Sequence, residues 1–179
     1  MIIDPAEVLL LIETFDAGDE ERARASARRT ARLLRDCTTP FSRASFEPGH
    51  VTASAVVLAR DTESVLLVYH ERLERWLQPG GHLEPTDPSV VDAARREVRE
   101  ETGITLTEAD PPLISVDVHE IPAAQGEPAH LHHDLMFGFR QETIVRFRGE
   151  ARTVWCPLSE LDAYAIDSPL RRGIARALS

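Results

Sequence analysis

The stretch Gly80-Gly81-His82-Leu83-Glu84-Pro85-Thr86-Asp87-Pro88, followed by a helix-forming run that ends Arg96-Glu97-Val98-Arg99-Glu100-Glu101-Thr102-Gly103-Ile104, joins a glycine pair to a charged helix. Val90, Val91, Ala94 and Val98 recur at helical spacing and predict a helix over about 88–102, with one apolar face turned to a sheet. Asp87-Pro88 reads as its start, an acceptor side chain at the N-cap and proline at the first helical position. Gly103 is placed to stop it. Glu97, Glu100 and Glu101 fall at i, i+3 and i+4, so one turn presents three carboxylates within a single arc. Like charges so placed repel by roughly 0.2–0.5 kcal/mol per pair on an exposed helix. Hard divalent cations take oxygen ligands and commonly work beside substrate phosphates, so the pattern points to metal-assisted chemistry on a phosphorylated compound. Glycines 80 and 81 suit either a tight turn or a backbone that must approach an ion closely.

These residues resemble the Nudix box, G-x5-E-x7-R-E-U-x-E-E-x-G-U with U apolar. Arg96, Glu97, Val98, Glu100, Glu101, Gly103 and Ile104 match its second half throughout. Counted from Gly81, the first acidic position falls on Asp87 where the family has glutamate, and one extra residue precedes Arg96. The extra residue lies ahead of the three glutamates and leaves their spacing intact. The resemblance implies an α/β fold, an α/β/α sandwich with a mixed β-sheet. It implies a metal-dependent hydrolase that cleaves the diphosphate linkage of a nucleoside diphosphate joined to a further moiety, with Mg²⁺ or Mn²⁺ as cofactor. On this pattern Glu97, Glu100, Glu101 and the Gly80 carbonyl would hold metal, Glu97 would bind metal or act as the base, and Arg96 would hold the glutamates in place.

Outward from this segment, a hairpin is expected from the apolar, β-branched runs at 51–59 and 65–69, separated by Arg60-Asp61-Thr62-Glu63. A short segment Trp76-Leu77-Gln78 leads into the glycines. Strands are expected near 112–121, 130–140, 143–147 and 151–156, a loop at 122–129, and helices from 157 to about 164 and over 169–178. Before the sheet, residues 4–16 and 18–36 read as two helices, Asp4-Pro5 opening the first. The chain thus divides into an N-terminal helical extension, 1–45, and a Nudix hydrolase domain, 46–179. The arginines of the second helix (22, 24, 28, 29, 32 and 35) follow Asp19, Glu20 and Glu21, the order that suits a helix dipole, and read as a solvated face.

The 179 residues carry a net charge of −10, against nonspecific nucleic-acid binding, which needs a basic surface. No lysine occurs, which excludes a P-loop lysine, a Schiff-base lysine and a lysine base together. Cys37 and Cys156 lack metal-ligand spacing and suit a reducing compartment; the apolar start has no basic flank and no run reaches membrane-spanning length, so a cytoplasmic protein is expected.

Further candidates for substrate contact are Trp76 and His82, with His70 flanking Trp76 on the other side, and Glu127, His130, His132 and Asp134, which could instead complete the metal site. If 130–140 is a strand, His130, His132 and Asp134 share one face, and His133 with Leu131 and Leu135 the other. Trp76 suits either base stacking or a core position; Trp155 and Cys156 read as core. The expected partner is a phosphorylated small molecule, a nucleotide derivative, with no nucleic-acid duplex and no membrane, and with homodimerisation through the N-terminal helices left open. Two other functions fit the same fold. A non-catalytic nucleotide sensor typically loses box glutamates, which are present here. An isopentenyl diphosphate isomerase uses an active-site cysteine, and neither Cys37 nor Cys156 has that context.

Overall fold

The computed structural model describes residues 3–60, 63–124, 126–142, 144, 146–149 and 151–179. Two helices come first, α1 (Pro5–Glu13) and α2 (Glu21–Asp36), then β1 (His50–Ala59), β2 (Ser64–His70), β3 (Arg75–Leu77), β4 (Gly80–His82), α3 (Val90–Thr102), β5 (Leu113–Ile121), β6 (His130–Gln141), β7 (Thr153–Pro157), a 3-10 turn at Leu158–Glu160, and α4 (Ser168–Leu178). Asp4 caps α1 as its sequence indicates, its side chain accepting the Ala6 N–H at 2.9 Å.

The strands form one mixed sheet in the order β3-β2-β1-β6-β5. β1 and β6 run parallel along their whole length, from His50 opposite His132 to Ala59 opposite Gln141. The other edge of β1 is shared: β2 pairs antiparallel at Leu58 and Ala59, and β4 pairs antiparallel at Thr52, Ala53 and Ser54. β7 closes against β2. Helices cover both faces. Val51, Ala53, Ala55, Val57, Leu135 and Phe137 pack with Val8, Ile12, Leu33 and Leu34 of α1 and α2 and with Ala93, Ala94 and Val98 of α3. On the opposite face Val56, Leu58 and Met136 pack under Leu170, Ile174 and Ala177 of α4. This is the expected α/β/α sandwich with a mixed sheet.

α1 and α2 belong to the same apolar cluster as the sheet. Arg22 donates to Asp117 of β5 at 3.0 Å, Ser26 Oγ accepts the Val118 N–H at 3.2 Å, and Thr30 Oγ1 lies 3.0 Å from His133 Nδ1. The remaining arginine pairs of α2, such as Arg24 and Arg28 with Glu21 and Arg32 with Asp36, lie on the solvated side.

Three local expectations differ from the structure. The expected strand near 143–147 is not formed at 144, 146 and 147, and residues 143 and 145 lie outside those described, as do Asp61 and Thr62 of the expected turn. The helix expected from 157 is a single 3-10 turn. The glycine segment at 80–82 is itself a strand, because its backbone pairs with β1. No helix among the described residues is long and apolar enough to cross a membrane.

Candidate functional site

α3 starts two residues later than its sequence suggests. Ser89 is the N-cap and its hydroxyl accepts the Asp92 N–H at 3.0 Å, while Gly103 ends the helix in the left-handed region at φ 76°. The expected N-cap role of Asp87 is therefore corrected. Asp87 is buried in the loop ahead of the helix, where its Oδ2 accepts the Glu84 N–H at 2.7 Å. Its two carboxylate oxygens also accept from Arg96 Nε at 3.0 Å and Nη2 at 3.1 Å, a bidentate pair.

Arg96 joins the whole box. Besides Asp87, it donates to the His82 carbonyl at 2.8 Å, to Glu97 Oε1 at 2.9 Å and to Glu100 Oε2 at 3.1 Å. Burial opposes its charge, but the hydrogen bonds it donates to Asp87 and Glu97 outweigh that and raise its pKa. One guanidinium thus ties the loop, β4 and two of the three helix glutamates.

The three carboxylates are not equivalent. Glu101 turns toward β4, its Oε2 accepting the Gly80 N–H at 3.1 Å, and burial raises its pKa to about 7. Glu97 is also raised by burial, against the pull of Arg96. Glu100 is the outermost, its side chain 49% exposed. A Cβ on Gly81 would stand 2.7 Å from Glu97 Oε1, and one on Gly80 would stand 2.5 Å from Ser54 Cβ. Only glycine at 80 lets this strand sit against β1, while a side chain at 81 would push the Glu97 carboxylate aside. Clustered, partly buried carboxylates with raised pKa values are short of positive charge, so this oxygen-rich donor set fits a hard divalent cation.

The glutamates line a cavity of about 960 Å³, together with Arg96, Gly80, Gly81, His82, His119, His132 and Asp134. The sheet register explains the second wall. His132 on β6 stands opposite His50 on β1 and His119 on β5, and Asp134 stands opposite Thr52 and Asp117. The expected alternation on β6 is seen in its contacts: His132 and Asp134 border the cavity, whereas His133 meets Thr30 of α2 on the other face. Asp134 is buried, which raises its pKa, and it accepts from Ser54 Oγ at 2.6 Å and Thr52 Oγ1 at 3.0 Å. It holds β1 to β6 behind Gly80. Burial among other imidazoles lowers His82 to about 4 and His132 to about 2. His119 is raised despite burial because Asp117 accepts from it at 3.3 Å.

Other candidates lie apart from this cavity lining. Trp76 packs edge-on against Tyr69 and Tyr164 with the Arg152 guanidinium 5.2 Å from its ring centroid. Glu127 pairs with Arg43 at 3.7 Å, and His130 borders a neighbouring groove with Phe46 and Pro48. His70 does line the cavity, and its ring accepts the Leu73 N–H at 3.1 Å. Cys156 is fully buried, which pushes its thiol up to about 11. Sequence reading passed over His50, His119, Thr52 and Ser54. Thr52, Ser54 and His119 line the cavity and His50 stands against His132; these places depend on the pairing of β6 with β1 and with β5, a long-range register that local periodicity does not carry.

The family model described as NUDIX domain matches residues 48–177. The phosphatase NudJ of Escherichia coli strain K12 is 48% identical over 63 residues, 34% of this chain and 38% of the relative. The chain therefore spans well under half the length of the curated relatives it matches. Among solved structures, the Caenorhabditis elegans Ap4A hydrolase superposes with a TM-score of 0.52 at 20% identity, covering 72% of this chain and 98% of that one. The NUDIX domain of Shewanella oneidensis NrtR, complexed with ADP ribose, gives a TM-score of 0.52 at 18% identity over 83% of this chain and 96% of that one. These two likenesses bear on the fold. With the family model spanning the sheet, the box helix and α4, the chain belongs to the Nudix family.

Proposed function

We propose that the protein is a Mg²⁺- or Mn²⁺-dependent hydrolase that cleaves a diphosphate linkage in a nucleoside diphosphate joined to a further group. The observation that carries this reading is the convergence of Glu97 and Glu100 on one guanidinium, and of Glu101 on the Gly80 backbone, at the wall of a large cavity. Glu97, Glu100, Glu101 and the Gly80 backbone are the groups that would hold the cation. A cation of this kind polarises phosphoryl oxygens and lowers the pKa of bound water. Arg96, anchored by Asp87, fixes the directions of Glu97 and Glu100. Where Glu97 does not itself hold the cation, it would take the proton of the attacking water as a new P–O bond forms and the bridging P–O bond breaks, releasing the second phosphoryl fragment. His82 and His132 offer neutral imidazoles to the phosphate oxygens. On this reading the catalytic unit is 46–179, and residues 1–45 are an extension that supports it.

The test is turnover of ADP-ribose, nucleoside triphosphates, dinucleoside polyphosphates and coenzyme A with Mg²⁺ or Mn²⁺, measured as released phosphate or nucleoside monophosphate. Glu100→Gln and Glu101→Gln are expected to lower turnover at least about 100-fold, the scale of losing a transition-state charge contact. Equal turnover in the variants and the parent would remove these glutamates from the mechanism. Silence on every compound, with retained nucleotide binding, would favour a sensor.

A further inference from the structure

Five histidines crowd one end of the sheet. The ring of His50 lies 4.8 Å from that of His132, 5.1 Å from that of His130 and 5.1 Å from that of His82, while His119 stands 5.7 Å from His132. Apart from His82, which lies in the box segment, these histidines are not part of the carboxylate box, and imidazole crowding is costly unless the ring nitrogens find partners. A neutral imidazole has one donor and one acceptor nitrogen. His50 Nδ1 donates to the Ser45 carbonyl at 3.1 Å and His130 Nδ1 donates to the Pro128 carbonyl at 2.8 Å. Those two bonds fix the tautomers and leave both Nε2 atoms as lone-pair acceptors. His50 is 1% exposed, and its Nε2 has no hydrogen-bond partner among the described residues. An Nδ1–H held by a backbone carbonyl is the arrangement that orients a metal-ligating histidine.

We propose that His50, His130 and His132 form a second metal site that takes a borderline divalent transition metal, Zn²⁺ in the first instance. One ligand atom from each of the three lies within 4.8 Å of the other two. His130 Nε2 and His132 Nε2 are 3.3 Å apart, the spacing of about 3.3 Å expected for two nitrogens each roughly 2.0–2.1 Å from a tetrahedral ion. The His50 nitrogen stands within 4.8 Å of the other two, so ion uptake would have to draw it in to the same distance. Imidazole donors suit Zn²⁺, Co²⁺, Ni²⁺ and Cu²⁺, whereas Mg²⁺ and Mn²⁺ prefer the oxygens of Glu97, Glu100 and Glu101. His132 borders the same cavity as those glutamates, so the second donor set reaches that space through one of its three imidazoles.

Co²⁺ tests this directly, because its visible absorption reports ligand type. The full chain, in excess Mg²⁺ to fill the carboxylate set, is expected to take up one Co²⁺ with visible bands of low-symmetry nitrogen coordination, and Zn²⁺ is expected to displace it. His130→Gln and His132→Gln are each expected to weaken uptake roughly 100-fold or more, beyond the 10–100-fold of losing an outer-shell partner. Glu101→Gln should retain it. Because a buried histidine change can perturb folding, ¹⁵N-imidazole spectra of the unaltered protein give a second readout. Zn²⁺ should shift the Nε2 signals of His50, His130 and His132 together. Absence of uptake, uptake indifferent to the histidine variants, loss of uptake in Glu101→Gln, or a Zn²⁺ titration that leaves those signals unmoved would each overturn the proposal.

Discussion

Glu101 accepts the Gly80 N–H while burial holds its carboxyl near 7, and this gives the metal-free protein a pH dependence of definite sign. The folded-state pKa exceeds the unfolded value, so the folded chain binds the extra proton and stability falls as pH rises from about 4.5 to about 7. Glu101→Gln is expected to stabilise the metal-free protein at pH 8 by up to about 3 kcal/mol, and by nothing measurable at pH 4; denaturant melts at the two pH values check it. The substitution keeps an acceptor for Gly80 and removes only the charge. Asp87 is the second decisive residue. Asp87→Ala removes both carboxylate oxygens from a guanidinium whose side chain is only 12% exposed, and is expected to cost about 3 kcal/mol. Turnover should fall with it, since Glu97 and Glu100 take their directions from Arg96; unchanged turnover would show that Arg96 needs no anchor. Residue identity alone showed the acidic triad, Arg96 and the glycines. It did not show what Asp87 does, because Asp-Pro is equally a helix start and an anchor. Only the folded loop brings its carboxylate to a side chain nine residues on.

At the scale of elements, the box works because α3 and β4 are pinned at both ends. Ser89 begins the helix, Gly103 ends it, and Val98, Ala93 and Ala94 are fully buried against the sheet, which fixes the rotation of the glutamates. Ser89→Ala is expected to cost about 1 kcal/mol in a thermal or denaturant melt, with little effect on cation affinity, because the cap lies two turns before Glu97. A cost near zero would move the helix start back toward Asp87. Most of the elements were legible from periodicity and punctuation: the two N-terminal helices, the β1–β2 hairpin, α3, β5, β6 and α4. β4 was not, since a Gly-Gly-His strand has no hydrophobic alternation and exists only through its pairing with β1. The histidine wall was half legible. Alternation placed His130, His132 and Asp134 on one face, but His50 and His119 join them through register.

At the scale of the molecule, α1 and α2 complete the core on one side of the sheet. Leu33 is 2% exposed within the cluster that includes Val51, Val116 and Leu135. Leu33→Ala is expected to cost about 2–5 kcal/mol, as a substitution within the sheet would; a change within about 0.5 kcal/mol would make the helices a separable appendage. That core sets β1 against β6 and so holds the carboxylate wall and the histidine wall around one cavity. The account depends on the carboxylate wall being a cation site, and Mn²⁺ binding measures this without any assumption about substrate. Titration followed by the electron paramagnetic resonance of free aqueous Mn²⁺ is predicted to show saturable binding to the unaltered chain, weakened at least about tenfold in both Glu97→Gln and Glu101→Gln. Saturable binding of equal strength in all three proteins, or none in any, would contradict it.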